Sequence, residues 1–210
     1  MFDLTRKVGI ISITPPIKTT IKLSPFVLEF FAAAIHYFQS GVFPDLSKIG
    51  LSREFPESGI VAFFFYNLFF FGFGEEIGWR GFALPELQSR YNALTSSVIL
   101  TAFWAAWHWP LFFYRPGYMS MDWMGIIGWL LSLLTGSVLL TWLFNSTRGS
   151  ILACAVFHSA IDVAFTSDFL DNNLVGLMGM LITLWGIATV FIFKPRNLSR
   201  KERVSGIEGG

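Results

Sequence analysis

The chain has 210 residues, 53% of them hydrophobic and only 14% charged, with a net charge of +1 and a mean hydropathy of +0.57. A soluble domain carries about a quarter charged residues, so the composition argues against a soluble globular protein. The small net charge gives no global field for a nucleic acid partner.

From the N-terminus, residues 1–22 are polar and basic, with Arg6, Lys7, Lys18 and Lys22. No sustained apolar stretch leads to a small-residue cleavage site, so no cleaved signal peptide is read here. Leu23 to Val42 is a candidate span that contains Glu29 and His36. Ser58 to Gly74 is free of charge and runs straight into Glu75-Glu76, and this helix is expected to stop near Leu84, ahead of Pro85. Glu86 to Tyr91 then reads as a short amphipathic stretch at the inner interface. Ala93 to Tyr114, Met124 to Thr147, Ser150 to Thr166 and Asn172 to Phe193 complete the apolar segments, each near the roughly 17–25 residues that a bilayer requires. Aromatics make up 18% of the chain, as suits lipid-facing surfaces and interfacial belts. The single cysteine, Cys154, lies in an apolar run, excludes an internal disulfide and reads as a small packing residue.

Backbone amides in hydrocarbon must be paired within their own segment, and no alternating barrel pattern is present, so the spans are expected to be helices. The fold expected is all-α: a polytopic transmembrane bundle of about six spans over residues 23–193, with a cytoplasmic segment at 1–22 and a basic, loosely ordered tail at 194–210. The tail carries Lys194, Arg196, Arg200, Lys201 and Arg203. Both ends are basic, which places both in the cytoplasm and requires an even number of crossings. The loop Phe169 to Asn173 then faces outward, and the outer loops hold Lys48, Arg53 and Arg115.

Ionisable groups inside a bilayer are costly and mark function by default. In Gly74-Glu75-Glu76-Ile77-Gly78-Trp79-Arg80-Gly81, Glu76 and Arg80 stand four apart and share a helix face, whereas Glu75 points about 100° away without that partner. The pattern divides two carboxylates into one held ionised by Arg80 and one available as a base; taken alone it reads equally as an acidic helix cap. Trp104 and His108 share a face of the next span just before Pro110, and His158 and Asp162 are again four apart. Each of these taken alone is also what a packing histidine or a local ion pair looks like. Measured from the inner helix ends, Glu75 falls at ~13 Å, His158 at ~12 Å and His108 at ~16–22 Å. Those depths are close enough for one cavity open toward the cytoplasm.

Such a set can activate water and bind an oxyanion, the kit for amide hydrolysis without a Ser or Cys nucleophile. Glu75, His108 and His158 could alternatively ligate a divalent metal such as zinc, although the signature H-E-x-x-H is absent. A proton- or ion-coupled transporter or channel subunit would use the same buried acids and histidines, but no internal inverted repeat is visible. A non-catalytic membrane immunity protein is a further alternative.

At these residues the sequence resembles the CPBP (CAAX-processing and bacteriocin-protection, or Abi) intramembrane protease family, which includes the type II CAAX prenyl endopeptidases. The family shows E-E-x-x-x-R, F-x-x-x-H and H-x-x-x-N or -D on successive helices. Here these are Glu75, Glu76 and Arg80; Trp104, in place of the commoner Phe, with His108; and His158 with Asp162. The resemblance implies a helical membrane endopeptidase acting on a peptide or prenylated-protein substrate at a cytosol-facing site. By that analogy Glu75 is the general base assisted by His108. His158 and Asp162 stabilise the oxyanion, and Glu76 with Arg80 and Trp104 hold the architecture. Metal-independent chemistry is favoured, with no cofactor. Asp162 stands where an amide could donate, and a carboxylate helps an oxyanion only if protonated or through His158.

Overall fold

A segment that satisfies its own backbone by i to i+4 hydrogen bonds needs no solvent, and the long apolar runs of this chain accordingly fold as helices. The computed structural model describes residues 30–45, 48, 51–52, 59–167 and 172–206. Among these residues seven helices follow in order: α1 (30–40), α2 (Ile60–Arg90), α3 (Ala93–His108), α4 (Pro116–Met119), α5 (Trp123–Ser146), α6 (Ile151–Thr166) and α7 (Asn172–Asn197), the last broken at Lys194, whose φ is 66°. Among the described residues the β pairing is limited to an isolated Ser52–Ser167 bridge. The fold is all-α, as expected.

α2, α5 and the Leu174–Asn197 part of α7 are long and apolar enough to cross a membrane, and α6 is a shorter apolar helix. The other two expected crossings correspond to α3, sixteen residues long, and to α1, whose preceding residues lie outside those described. The N-terminal segment 1–22, Arg53 and the loop residues Phe169 to Asp171 also lie outside the described residues. Large side chains such as Phe69, Phe70, Trp107 and Phe191 are exposed on the bundle surface, which suits contact with lipid.

Helix ends carry local signals. Asn92 caps α3 by accepting from Thr95 N at 2.9 Å, and Asp122 caps α5 by accepting from Gly125 N at 2.8 Å. Between α5 and α6 the chain reverses through Arg148 and Gly149, at φ 57° and 85°. Gly149 N donates to Phe144 O at 2.8 Å and Arg148 N to Asn145 O at 3.3 Å. This paired arrangement ends a helix with a left-handed residue, and it starts α6 abruptly.

Between membrane helices there is little hydrophobic driving force, so close packing of small residues and interhelical hydrogen bonds hold a bundle together. α2 meets α6 at Gly72, where an added Cβ would collide with Ser159 Oγ and lie 2.6 Å from the Ala155 carbonyl oxygen. α7 meets α5 at Gly186, where a Cβ would lie 2.5 Å from Thr135 Cβ. α3 and α5 share a seam in which Ser97 Oγ donates to Thr141 Oγ1 at 2.8 Å and Ser137 Oγ donates to Ser97 O at 3.3 Å. Around these seams Leu84, Trp104, Leu139, Leu143, Phe157 and Cys154 form the main core. Cys154 is thus the buried packing residue that its sequence context implies.

Two expectations are corrected. Pro85 does not end α2, which continues to Arg90. A proline ring clashes with the carbonyl four residues back in a regular helix, but here the wide π turn Trp79–Ala83 immediately precedes it and relaxes that position. Nor is the tail loose over its described part. Gln88 and Asn145, both fully buried, exchange amide hydrogen bonds at 3.1 and 2.8 Å, and they need further partners because buried polar groups must be satisfied. The tail supplies them. Asn145 Nδ2 donates to Asn197 O at 2.8 Å, Val204 N donates to Asn145 Oδ1 at 3.0 Å, and Gln88 Nε2 donates to Val204 O at 2.7 Å. Lys201 Nζ and Arg203 Nε then cap the ends of α5 and α2, donating to Ser146 O at 2.7 Å and Gln88 O at 2.8 Å, where cations suit exposed helix carbonyls.

Replacing Gly72 by Val drives two methyl groups into the α6 backbone and is expected to cost about 1–3 kcal/mol or more through overpacking. Gly128→Ala, inside α5 where a Cβ meets nothing within 4 Å, should keep or slightly raise stability. Unfolding of the two variants in detergent checks the contrast.

Candidate active site

The site is built on an irregular stretch of α2. A π-helical segment, Leu68–Phe73, precedes the α-helical turn Gly74–Gly78, and a second π segment, Trp79–Ala83, follows it. Such segments rotate the residues beyond them relative to a regular helix and are frequent at functional sites. Glu75 and Glu76 sit in the short turn between the two. Because α2 runs to Arg90, Glu75 lies roughly 22 Å from that end at 1.5 Å per residue, not the ~13 Å expected from a stop ahead of Pro85. His108 lies at a comparable distance from the start of α3, which removes the mismatch in depth that the sequence left. α6 begins beside Gly81, whose added Cβ would lie 3.0 Å from Ile151 Cδ1, so His158 reaches the same level after two turns.

Glu76 and Arg80 have no exposed surface. The Glu76 Oε1 atom accepts from Arg80 Nη1 at 3.0 Å and from His158 Nδ1 at 2.8 Å. The Glu76–Arg80 pair is the one that the four-residue spacing anticipates; the bond from His158, 82 residues away, is not visible in local spacing. On the far side of the imidazole, His158 Nε2 stands 3.6 Å from Asp162 Oδ2, longer than a direct hydrogen bond. Glu76, rather than Asp162, therefore fixes the orientation of His158.

Glu75 is half-buried and turned toward α3, where Trp104 Nε1 donates to its Oε2 at 2.6 Å. Sequence spacing left Glu75 without a partner, and the indole supplies one. Phenylalanine, commoner at this motif position, has no such donor. Trp104 also lies beneath the Arg80 guanidinium, 4.8 Å from its Cζ, and meets the rings of His158 and His108 edge-on at 5.4 and 5.8 Å. His108 Nδ1 lies 2.9 Å from the Trp104 carbonyl. A carbonyl only accepts, so Nδ1 carries the proton and Nε2 of the neutral ring keeps its lone pair. The Asp162 carboxylate stands in the combined field of His158, Glu75, His108 and Arg115. The structure thus brings Glu75, Glu76, Arg80, Trp104, His108, His158 and Asp162 into one cluster between α2, α3 and α6.

Sequence reasoning missed an aromatic wall. The rings of Tyr118 and His108 stack at 6.4 Å and 22°, and Trp129 and Phe112 close around Tyr118 edge-on at 5.9 and 5.2 Å. In a membrane sequence Tyr and Trp read as interfacial anchors, so composition hid them; the aromatic clustering of residues 107–118 immediately after His108 was the available signal. Among the described residues no three His, Cys, Asp or Glu side chains converge on a point that could hold a metal ion. Glu75 and His108 both bond to Trp104, through its indole and its carbonyl, and His158 bonds to Glu76.

A helical bundle whose apolar helices are long enough to span a bilayer, with a buried acid–imidazole cluster among them, points to an integral membrane protein. The model of the type II CAAX prenyl endopeptidase Rce1-like family matches residues 57–164, a stretch that includes every residue of this cluster. The chain belongs to that family. It is 32% identical over 123 residues to the CAAX prenyl protease 2 of Methanococcus maripaludis, an alignment covering 53% of this chain and 45% of that protein. The chain therefore spans less than half the length of this relative.

Removing one member of a buried ion pair leaves the other charge uncompensated, at a cost of about 3–5 kcal/mol. Arg80→Met should therefore destabilise the fold by that order, and adding Glu76→Gln to it should recover much of the loss. Chemical unfolding of the single and double variants in detergent checks this; strictly additive losses would contradict a coupled pair.

Proposed function

We propose that the chain is an intramembrane endopeptidase that hydrolyses a peptide bond with water activated by Glu75. The observation carrying this reading is the contrast between the two adjacent carboxylates. Glu76 is wholly buried and bound by Arg80 and His158, whereas Glu75 is half-buried with a single indole donor and faces the cluster. One acid is structural and the other is free to exchange a proton.

In the proposed reaction a water between Glu75 and His108 gives a proton to the Glu75 carboxylate, and its oxygen adds to the peptide carbonyl carbon. The neutral Nε2 of His108 accepts a hydrogen bond from the same water and orients it. The carbonyl oxygen becomes an oxyanion facing His158, whose Nε2 donates to it while Glu76 holds the ring from Nδ1 and Asp162 stands beside Nε2. Collapse of the tetrahedral adduct breaks the C–N bond, and the leaving amine takes the proton held by Glu75. Glu76, Arg80 and Trp104 position the reacting groups, and no step is routed through a metal.

The substrate class is a membrane-bound peptide, of which a prenylated protein bearing a C-terminal CAAX sequence is the first choice, by analogy with the relative named a CAAX prenyl protease. The basic ends place both termini on the cytoplasmic face in this reading.

Glu75→Gln should lower cleavage of a membrane peptide by purified protein in detergent by at least ~10²–10⁴-fold, the range of a lost general base, without unfolding it. His108→Ala should fall in the same range. Turnover that persists in Glu75→Gln would reject this base, and a function seen only in sealed vesicles carrying an ion gradient would favour transport.

A further inference from the structure

The aromatic wall over His108 contains a polar group that the reaction above leaves unused. Tyr118, in the four-residue helix α4, is held on several sides. Its ring lies parallel to His108, Phe112 and Trp129 pack edge-on against it, and the Arg115 guanidinium lies 5.9 Å from the ring centre. The phenol stands in the electrostatic field of both Glu75 and Asp162. Its ring thus borders the site on the His108 side, within electrostatic reach of both acids.

Counting donors shows what that hydroxyl supplies. Ionised Glu75 and Asp162 accept only. The Trp104 indole N–H is committed to Glu75 and the His108 Nδ1–H to the Trp104 carbonyl, while His158 Nδ1 is committed to Glu76. Apart from the Arg115 guanidinium, the donors left to meet a developing oxyanion are His158 Nε2 on α6 and the Tyr118 hydroxyl on the His108 side. A phenolic proton turns about its C–O bond, so the Tyr118 hydroxyl can present it to the oxyanion.

We propose that Tyr118 is a catalytic residue of this site, its neutral hydroxyl donating a hydrogen bond to the oxyanion of the tetrahedral adduct from the His108 side. This rests on the endopeptidase reading and deepens it, because it supplies a donor that the carboxylate at Asp162 cannot. Burial pushes the phenol up from 10.0 to about 12, with Asp162 and Glu75 acting in the same direction against Arg115 and Trp129. It therefore stays a protonated donor throughout the neutral range.

The test is Tyr118→Phe, which keeps the ring, its stacking on His108 and its packing against Trp129 and Phe112, and removes only the hydroxyl. With a membrane peptide substrate in detergent, kcat should fall about 10²–10³-fold, the loss typical of one oxyanion donor, while KM changes less than about threefold. Binding of a peptide aldehyde, whose hydrate mimics the tetrahedral adduct, should weaken with kcat rather than with KM. A purely structural Tyr118 would instead leave Tyr118→Phe near wild type and impair only Tyr118→Ala. If wild type cleaves, Glu75→Gln does not and Tyr118→Phe retains full kcat, the Tyr118 assignment alone is overturned. If wild type cleaves no membrane peptide, the endopeptidase reading falls and this assignment falls with it.

Discussion

A carboxylate with no solvent contact, placed halfway along a membrane-spanning helix, survives only if it is paired. Glu76 meets that constraint with two donors on one oxygen, Arg80 from its own helix and His158 from α6. The rest of the site follows from this bond. It fixes the rotation of α2 against α6 at the level where Gly72, Ala155 and Ser159 let the two backbones approach. It also turns Glu75 about 100° away, toward α3. Were Glu76 unpaired, neither the helix contact nor the direction of Glu75 would be determined.

Trp104 converts that two-helix contact into a three-helix site. One side chain gives an N–H to Glu75, a face to Arg80 and an edge to each histidine, while its carbonyl sets the tautomer of His108. A guanidinium over an indole face contributes about 0.5–2 kcal/mol, more when desolvated, so Trp104 stabilises the buried cation as well as aiming the acid. In the proposed reaction the two adjacent carboxylates differ in role because their surroundings differ. Glu76 takes two positive donors on one oxygen, from Arg80 and His158, and Glu75 is held by a single neutral one. The separation of acid and base roles by environment, rather than by residue type, is a general device of enzyme sites.

Much of this was legible in the sequence because four-residue spacings on a helix translate directly into a shared face. Glu76–Arg80 and His158–Asp162 follow from that rule, while the helical class and the positions of the apolar helices follow from the length of the apolar runs. What spacing cannot express is contact between distant segments. The His158–Glu76 bond, the Trp104–Glu75 bond and the stacking of Tyr118 on His108 depend on how helices rotate against one another. Pro85 misled because a proline normally ends a helix, and the π turn ahead of it that absorbs the ring leaves no plain mark in the sequence. The tail misled because polar composition usually means solvent, whereas the buried amides of Gln88 and Asn145 recruit it as their partner.

The central claim is that Glu75 on α2 and His158 on α6 act on one substrate atom group within a single pocket. A double-mutant cycle on kcat/KM tests it most directly, using Glu75→Asp and His158→Gln, chosen to leave measurable turnover, in a membrane-peptide cleavage assay. Residues that act as a unit on one transition state give strongly non-additive losses, so the double variant should be little worse than the poorer single variant. Losses that multiply, as for independent sites, would contradict a shared pocket.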